Sequence, residues 1–127
     1  MDGTFKYRIL IVDDEPALAT LLASFLSFQG YLCQTATNGR AALEMVSQNH
    51  FDVVITDIRM PEMDGISLTQ KLSHQFPNLF IMVMTGYFDE NAMESAIASG
   101  AHEFIKKPFS LAEFDMHFQR MMGESKA

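Results

Sequence analysis

The stretch Phe51-Asp52-Val53-Val54-Ile55-Thr56-Asp57 holds a short run of apolar, β-branched residues, 53–55, that ends against a hydroxyl and a carboxylate. A run this short and wholly apolar reads as a strand covered on both faces, as in a parallel sheet. Two more of the same kind lie at 9–12 and 80–84, with weaker candidates at Leu32–Ala36 and Phe104-Ile105. Helical periods separate them. Leu18, Leu21, Leu22, Phe25 and Leu26 recur at i, i+3, i+4, i+7 and i+8, with Pro16 placed for a first turn and Gly30 for a stop. Ala42, Met45 and Val46 predict a second helix, Leu68, Leu72 and Phe76 a third, and Ala92, Met93, Ala96 and Ile97, closed by Gly100, a fourth. A fifth follows Ser110, which can cap it. Glu113 completes a capping box there, and Leu111, Phe114, Phe118 and Met121 form the buried face.

Strands alternating with helices predict right-handed crossovers and a parallel sheet with helices on both faces. Leu32–Ala36 carries Gln34 and Thr35, and the last strand is flanked by Glu103 and Lys106, so these two belong at the edges. The expected fold is therefore α/β, a flavodoxin-like doubly wound (βα)5 domain with a five-stranded parallel sheet in the order 2-1-3-4-5. Its crevice lies beyond the carboxyl ends of the strands.

The 127 residues, 48% hydrophobic and 20% charged, suit one domain able to bury about two thirds of its unfolded surface without disulfides. Cys33 has no second cysteine to pair with. A formal charge of −7 and a pI of about 4.9 argue against direct contact with nucleic acid or an anionic membrane. The longest apolar run, 79–84, is far short of a span, and the first residues lack a signal-peptide pattern, so a cytoplasmic protein is expected.

The polar residues at the ends of the apolar runs converge on one crevice: Asp13-Asp14-Glu15 after the first, Asp57 after the third, Thr85 after the fourth, Lys107 after the fifth. Carboxylates crowded together repel unless cations compensate. Lys107 supplies one cation. Oxygen donors without His or Cys suit a second, hard one such as Mg²⁺, which binds through one or two carboxylates plus a phosphate. A metal beside a carboxylate, a hydroxyl and a lysine is equipped to accept a phosphoryl group, with Asp57 as nucleophile and Thr85 as a hydrogen-bond donor to a phosphate oxygen.

These residues resemble the receiver domains of two-component response regulators, the group that includes the chemotaxis response regulator. The resemblance covers roughly 7–122. It rests on Ile11-Val12-Asp13-Asp14-Glu15, on Thr56-Asp57-Ile58-Arg59-Met60-Pro61 with Asp64-Gly65, on Met84-Thr85-Gly86 and on Lys107-Pro108-Phe109. Each motif alone is weak; four in order are specific. The resemblance implies that Asp57 accepts phosphate from a sensor histidine kinase or phosphotransfer protein. It also implies that Asp13, Asp14, Asp57 and the Arg59 carbonyl hold Mg²⁺, that Lys107, which directly precedes the proline, contacts the phosphate, and that Lys107-Pro108 is cis.

The resemblance further implies a switch pairing Thr85 with Phe104, a ring where many relatives carry tyrosine. Phosphorylation would then change the surface formed by the fourth helix, fifth strand and fifth helix, toward an output domain, a target protein or a homodimeric partner. Arg59 and Tyr87, two residues after Asp57 and Thr85, flank the path of an attacking water and are expected to tune hydrolysis of the acyl phosphate.

Blander readings stand beside these. Asp13-Asp14 can be a turn and cap, Thr85-Gly86 a turn, Lys107-Pro108 a surface loop; only their convergence favours a site. His50, His74, His102 and His117 lack ligand spacing and read as surface residues. Met82, Met84 and Met121 read as core, and Met93 and Met116 as candidates for an adaptable partner surface. A phosphohydrolase of the haloacid-dehalogenase type would need Asp-x-Asp after the first strand, and a flavodoxin-like cofactor binder a phosphate-cradling glycine loop; neither occurs. The expectation is one receiver domain over 1–127, with its core at about 7–122 and a tail or linker start at 123–127. It acts as a switch rather than a turnover enzyme, either free-standing or joined to an output module.

Overall fold

A computed structural model of the chain describes residues 7–86 and 91–123. Five strands and five helices alternate: β1 (Arg8–Val12), α1 (Pro16–Phe28), β2 (Leu32–Ala36), α2 (Gly39–Gln48), β3 (Val53–Asp57), α3 (Gly65–Gln75), β4 (Phe80–Thr85), α4 (Ala92–Ala98), β5 (Glu103–Lys106) and α5 (Leu111–Met121). The sheet is parallel throughout and ordered β2-β1-β3-β4-β5. The three apolar runs are the central strands, as their composition requires, and the two mixed ones are the edges.

Strand alternation sends successive side chains to opposite faces and so divides the core in two. Ile9, Ile11, Val53, Ile55, Met82, Met84 and Ile105 pack beneath α1 and α5, against Leu22, Leu26, Phe114 and Phe118. Leu10, Val12, Val54, Ile81 and Val83 pack on the other face, with Leu68, Leu72 and Ala96 of α3 and α4.

Local chemistry sets the helix ends. Pro16 opens α1, Asn38 and Asp64 accept from the backbone N–H of Ala41 and Ser67, and Ser110 and Glu113 form the reciprocal capping box. Gly30 and Gly100 follow α1 and α4 at φ 103° and 115°, a conformation open to glycine without strain. The Lys107-Pro108 bond is cis.

Four side chains depart from expectation. Leu21 and Ile97 lie on the helical stripes but are 49% and 50% exposed, because α1 and α4 each bury a narrower face, through Ala19, Leu22 and Leu26 and through Ala92 and Ala96. Glu103, whose charge marked β5 as an edge, is buried beneath α5, where Arg120 Nε donates to Oε2 at 3.1 Å and His117 Nδ1 lies 2.7 Å from the same oxygen. His117 is thus part of an ion-pair cluster rather than an isolated surface residue. The other three histidines are exposed, and Cys33 is a half-buried side chain of β2 whose thiol burial pushes up, against a weaker opposing hydrogen bond with Ser27. Among the described residues no helix is long and apolar enough to cross a membrane.

Candidate functional site

Side-chain parity assembles the site. Residues 9, 11 and 53, 55 face α1 and α5, so the next odd positions, Asp13 and Asp57, emerge on that same side at the carboxyl edge of neighbouring strands. Lys107 continues the parity of Ile105 from the edge strand, and its backbone N–H donates to the Thr85 carbonyl at 2.7 Å, holding it beside the end of β4. Its ammonium lies 3.3 Å from Asp13 Oδ2 and 3.4 Å from Asp57 Oδ2.

Carboxylate oxygens of Asp13, Asp14 and Asp57 all lie within 4.8 Å of one another. Asp13 and Asp57 are buried and Asp14 is exposed. The second oxygen of each buried carboxylate is fixed by backbone: Asp13 Oδ1 accepts from Glu15 N–H at 2.9 Å, and Asp57 Oδ1 from Ile58 N–H at 3.0 Å. Glu15 lines the cleft but lies outside the carboxylate cluster. Asp14, Glu15, Asp57, Arg59, Gly86 and Lys107 line an open cleft of about 370 Å³ above these groups.

Burial raises the Asp57 carboxyl above its usual range, reinforced by Asp13, while Lys107 and the Ile58 N–H pull it back. For Lys107, burial would lower the ammonium, but Asp57 and Asp13 together outweigh it and hold the group above its ordinary value. One lysine between two buried carboxylates leaves a net negative pocket. Its donors are all oxygen and one carboxylate stands open to solvent, a set suited to a hard divalent ion such as Mg²⁺ and unsuited to zinc.

The loop after β3 is shaped to leave Asp57 in place. A Cβ on Gly65 would stand 2.2 Å from the Asp57 carbonyl oxygen, so only glycine admits this approach, and Gly65 N–H donates to the Ile58 carbonyl at 2.9 Å. Asp64-Gly65 is visible as a motif in the sequence, but its cause is not; the close approach supplies one.

Thr85 is buried at the end of β4 on the opposite face, two residues beyond Val83, which pairs with Phe104. The Phe104 ring is half-buried against the α3 and α4 side of the core. The structure thus brings together Asp13, Asp14, Asp57 and Lys107, sets Thr85 and Phe104 on one face of adjoining strands, and places Arg59 at the cleft. Lys106, one residue earlier, is exposed. Tyr87 lies outside the described residues.

The chain is thus an α/β domain, a doubly wound sheet with three acidic groups and a lysine at its carboxyl edge. The chain belongs to the response regulator receiver domain family, which matches residues 9–119. It is 38% identical over 115 residues to the regulatory protein AtoC of Escherichia coli, covering 91% of this chain and 25% of AtoC, and 38% identical over 116 residues to the sensor protein EvgS of the same organism, covering 91% and 10%. The chain thus spans about a quarter or less of these relatives. Among solved structures, the beryllofluoride-activated NtrC4 receiver domain dimer is similar at a TM-score of 0.85 and 32% identity, covering 92% of this chain and 97% of that one. TrrA of Thermotoga maritima, solved in complex with Mg²⁺ and beryllofluoride, is similar at 0.82 and 32%, covering 91% and 99%. Mg²⁺ binding and phosphorylation are characteristic of the family, and the chain acts as a phosphoacceptor in two-component signalling. The matches give no support to a dehalogenase-type phosphohydrolase or a flavodoxin-like cofactor binder.

Proposed function

We propose that Asp57 is the phosphoacceptor, working with Asp13, Asp14, Thr85 and Lys107. The observation that carries this is the meeting of the three carboxylates within 4.8 Å while Lys107 bridges the two buried ones. An oxygen of Asp57 attacks the phosphorus of a phosphohistidine, the new O–P bond forms as the N–P bond breaks, and the imidazole leaves with the electron pair and takes up a proton. Lys107 offsets charge on the phosphoryl oxygens, and Thr85 donates to one of them. Asp13, Asp14, Asp57 and the Arg59 carbonyl would hold Mg²⁺, which would supply positive charge to offset that of the approaching anion.

Loss of the phosphoryl group reverses Asp57: water attacks phosphorus, the acyl O–P bond breaks, and carboxylate and inorganic phosphate are released. Arg59, which lines the cleft, slows this step, and Tyr87, two residues after Thr85 in the sequence, is assigned the same role. When Thr85 is drawn toward the phosphate, Phe104 follows on the same face of the sheet, and the α4-β5-α5 surface changes.

The partners are a sensor histidine kinase or phosphotransfer protein upstream and an output domain or target protein downstream, with homodimerisation through α4-β5-α5. The chain works in the cytoplasm as a single receiver domain with its core at 7–122, without direct nucleic-acid contact and without substrate turnover. Intact mass after incubation with acetyl phosphate and Mg²⁺ tests the assignment: one phosphoryl group is gained by the wild type and none by Asp57→Asn, whereas equal gain by both overturns it.

A further inference from the structure

At the amino end of the sheet, opposite the phosphoacceptor pocket, β4 is joined to the chain before β5 in an unusual way. In a parallel strand the N–H and C=O of one residue point to the same neighbour. The Ile81 carbonyl accepts from His102 N–H at 2.8 Å, one residue short of the regular step that Lys107 N–H makes to the Thr85 carbonyl. The Ile81 N–H, however, donates to the His102 ring, 3.1 Å from Nδ1, rather than to a backbone carbonyl. The chain has just turned at Gly100, whose φ is 115°, with Ala101 N–H bonded back to the Ala96 carbonyl of α4, and the side chain of His102 supplies the acceptor for Ile81. Ile81 is fully buried, so its N–H has no recourse to water.

Only a neutral imidazole with its proton on Nε2 can accept at Nδ1; the imidazolium has two donors and no acceptor. We infer that His102 is a proton-sensitive clasp: acidification removes the acceptor from Ile81 and loosens the start of β5, the strand that carries Phe104 and leads to Lys107. The ring lies partly in solvent, which gives the proton access, and its edge-on contact with Phe80 at 5.5 Å places an apolar neighbour beside it. Among the described residues no carboxylate stands ready to compensate an imidazolium there. Glu103 points to the α5 side, held by Arg120 and His117, and Glu94 sits in the first turn of α4, at the far end of that helix. Lys71 and His74 of α3 are exposed and carry no negative charge to offer. Burial accordingly shifts the His102 imidazole below its ordinary value. A group depressed in this way supports the fold above its unfolded value of 6.5 and loses that support as pH falls through its folded one.

The test is amide hydrogen exchange on the full chain, following the protection factor of Ile81 against that of Ile55 in the central strand, with the His102 ring titrated in parallel. Between about pH 7 and about pH 5 Ile81 loses about ten-fold in protection relative to Ile55. His102→Asn places a non-titrating oxygen at the same δ position and removes the pH dependence, while His102→Phe leaves Ile81 weakly protected at both pH values. Unchanged relative protection in the wild type, or the same pH dependence in His102→Asn, overturns the inference.

Discussion

Lys107 Nζ stands 3.4 Å from Asp57 Oδ2 and shares its charge with Asp13, so one ammonium serves two buried carboxylates. The pocket is therefore under-neutralised until a divalent cation or a phosphoryl group with its metal enters.

Removing one charge relieves the crowding. Asp57 is raised above 3.8 in the folded state by burial and by Asp13, so its protonated form favours folding. That contribution is present at pH below 3.8 and is lost as pH rises through the folded value, leaving ionised Asp57 a net cost at neutral pH. Asp57→Asn accordingly raises Tm by a few degrees at neutral pH without divalent ions, and the gain shrinks on acidification, as thermal melts across pH will read.

Divalent binding acts on the same imbalance. Mg²⁺ at about one hundred times its Kd stabilises the wild type by about 2.7 kcal/mol, from simple mass action. Asp13→Asn removes one buried carboxylate of the cluster and abolishes most of that increment, measured as the Tm difference with and without MgCl₂.

Gly65 tests the backbone side of the site. An alanine methyl would meet the Asp57 carbonyl oxygen at 2.2 Å, a contact that only a shift of the β3–α3 connection can relieve. Gly65→Ala costs about 2–4 kcal/mol in urea unfolding and slows phosphoryl uptake through displacement of Asp57.

Arg59 lines the cleft beside Asp57, and the proposed effect on hydrolysis can be measured apart from phosphoryl uptake. The Arg59→Ala, Tyr87→Ala double variant takes up phosphate and loses it several-fold faster, followed as decay of labelled protein in Mg²⁺. An unchanged half-life removes both residues from hydrolysis control.

Much of the fold and site is legible in the sequence because the central strands are apolar throughout and the chemistry stands directly after them. Residues 9–12, 53–55 and 80–84 announce buried parallel strands, and Asp13, Asp57, Thr85 and Lys107 stand one or two places beyond these runs and the last strand. Burial that depends on distant partners is not legible. Glu103 reads as a solvated edge residue because its partners, His117 and Arg120, come from a helix 14 and 17 positions on. His102 is exposed, as the sequence suggests, but its acceptor role is hidden because it depends on the amide of Ile81, 21 residues earlier. Leu21 and Ile97 fit helical stripes whose buried width only the packing of α1 and α4 defines. The choice of Lys107 over Lys106 comes from resemblance; in the structure Lys107 is turned to the carboxylates and Lys106 is exposed.

The most direct measurement is the position of the modified residue. After phosphorylation with acetyl phosphate and Mg²⁺, borohydride reduces an aspartyl phosphate to homoserine, which peptide mass mapping locates. Homoserine at position 57 alone is the expected result; homoserine at 13 or 14, or none at any aspartate of a protein that has gained a phosphoryl group, contradicts the assignment of Asp57.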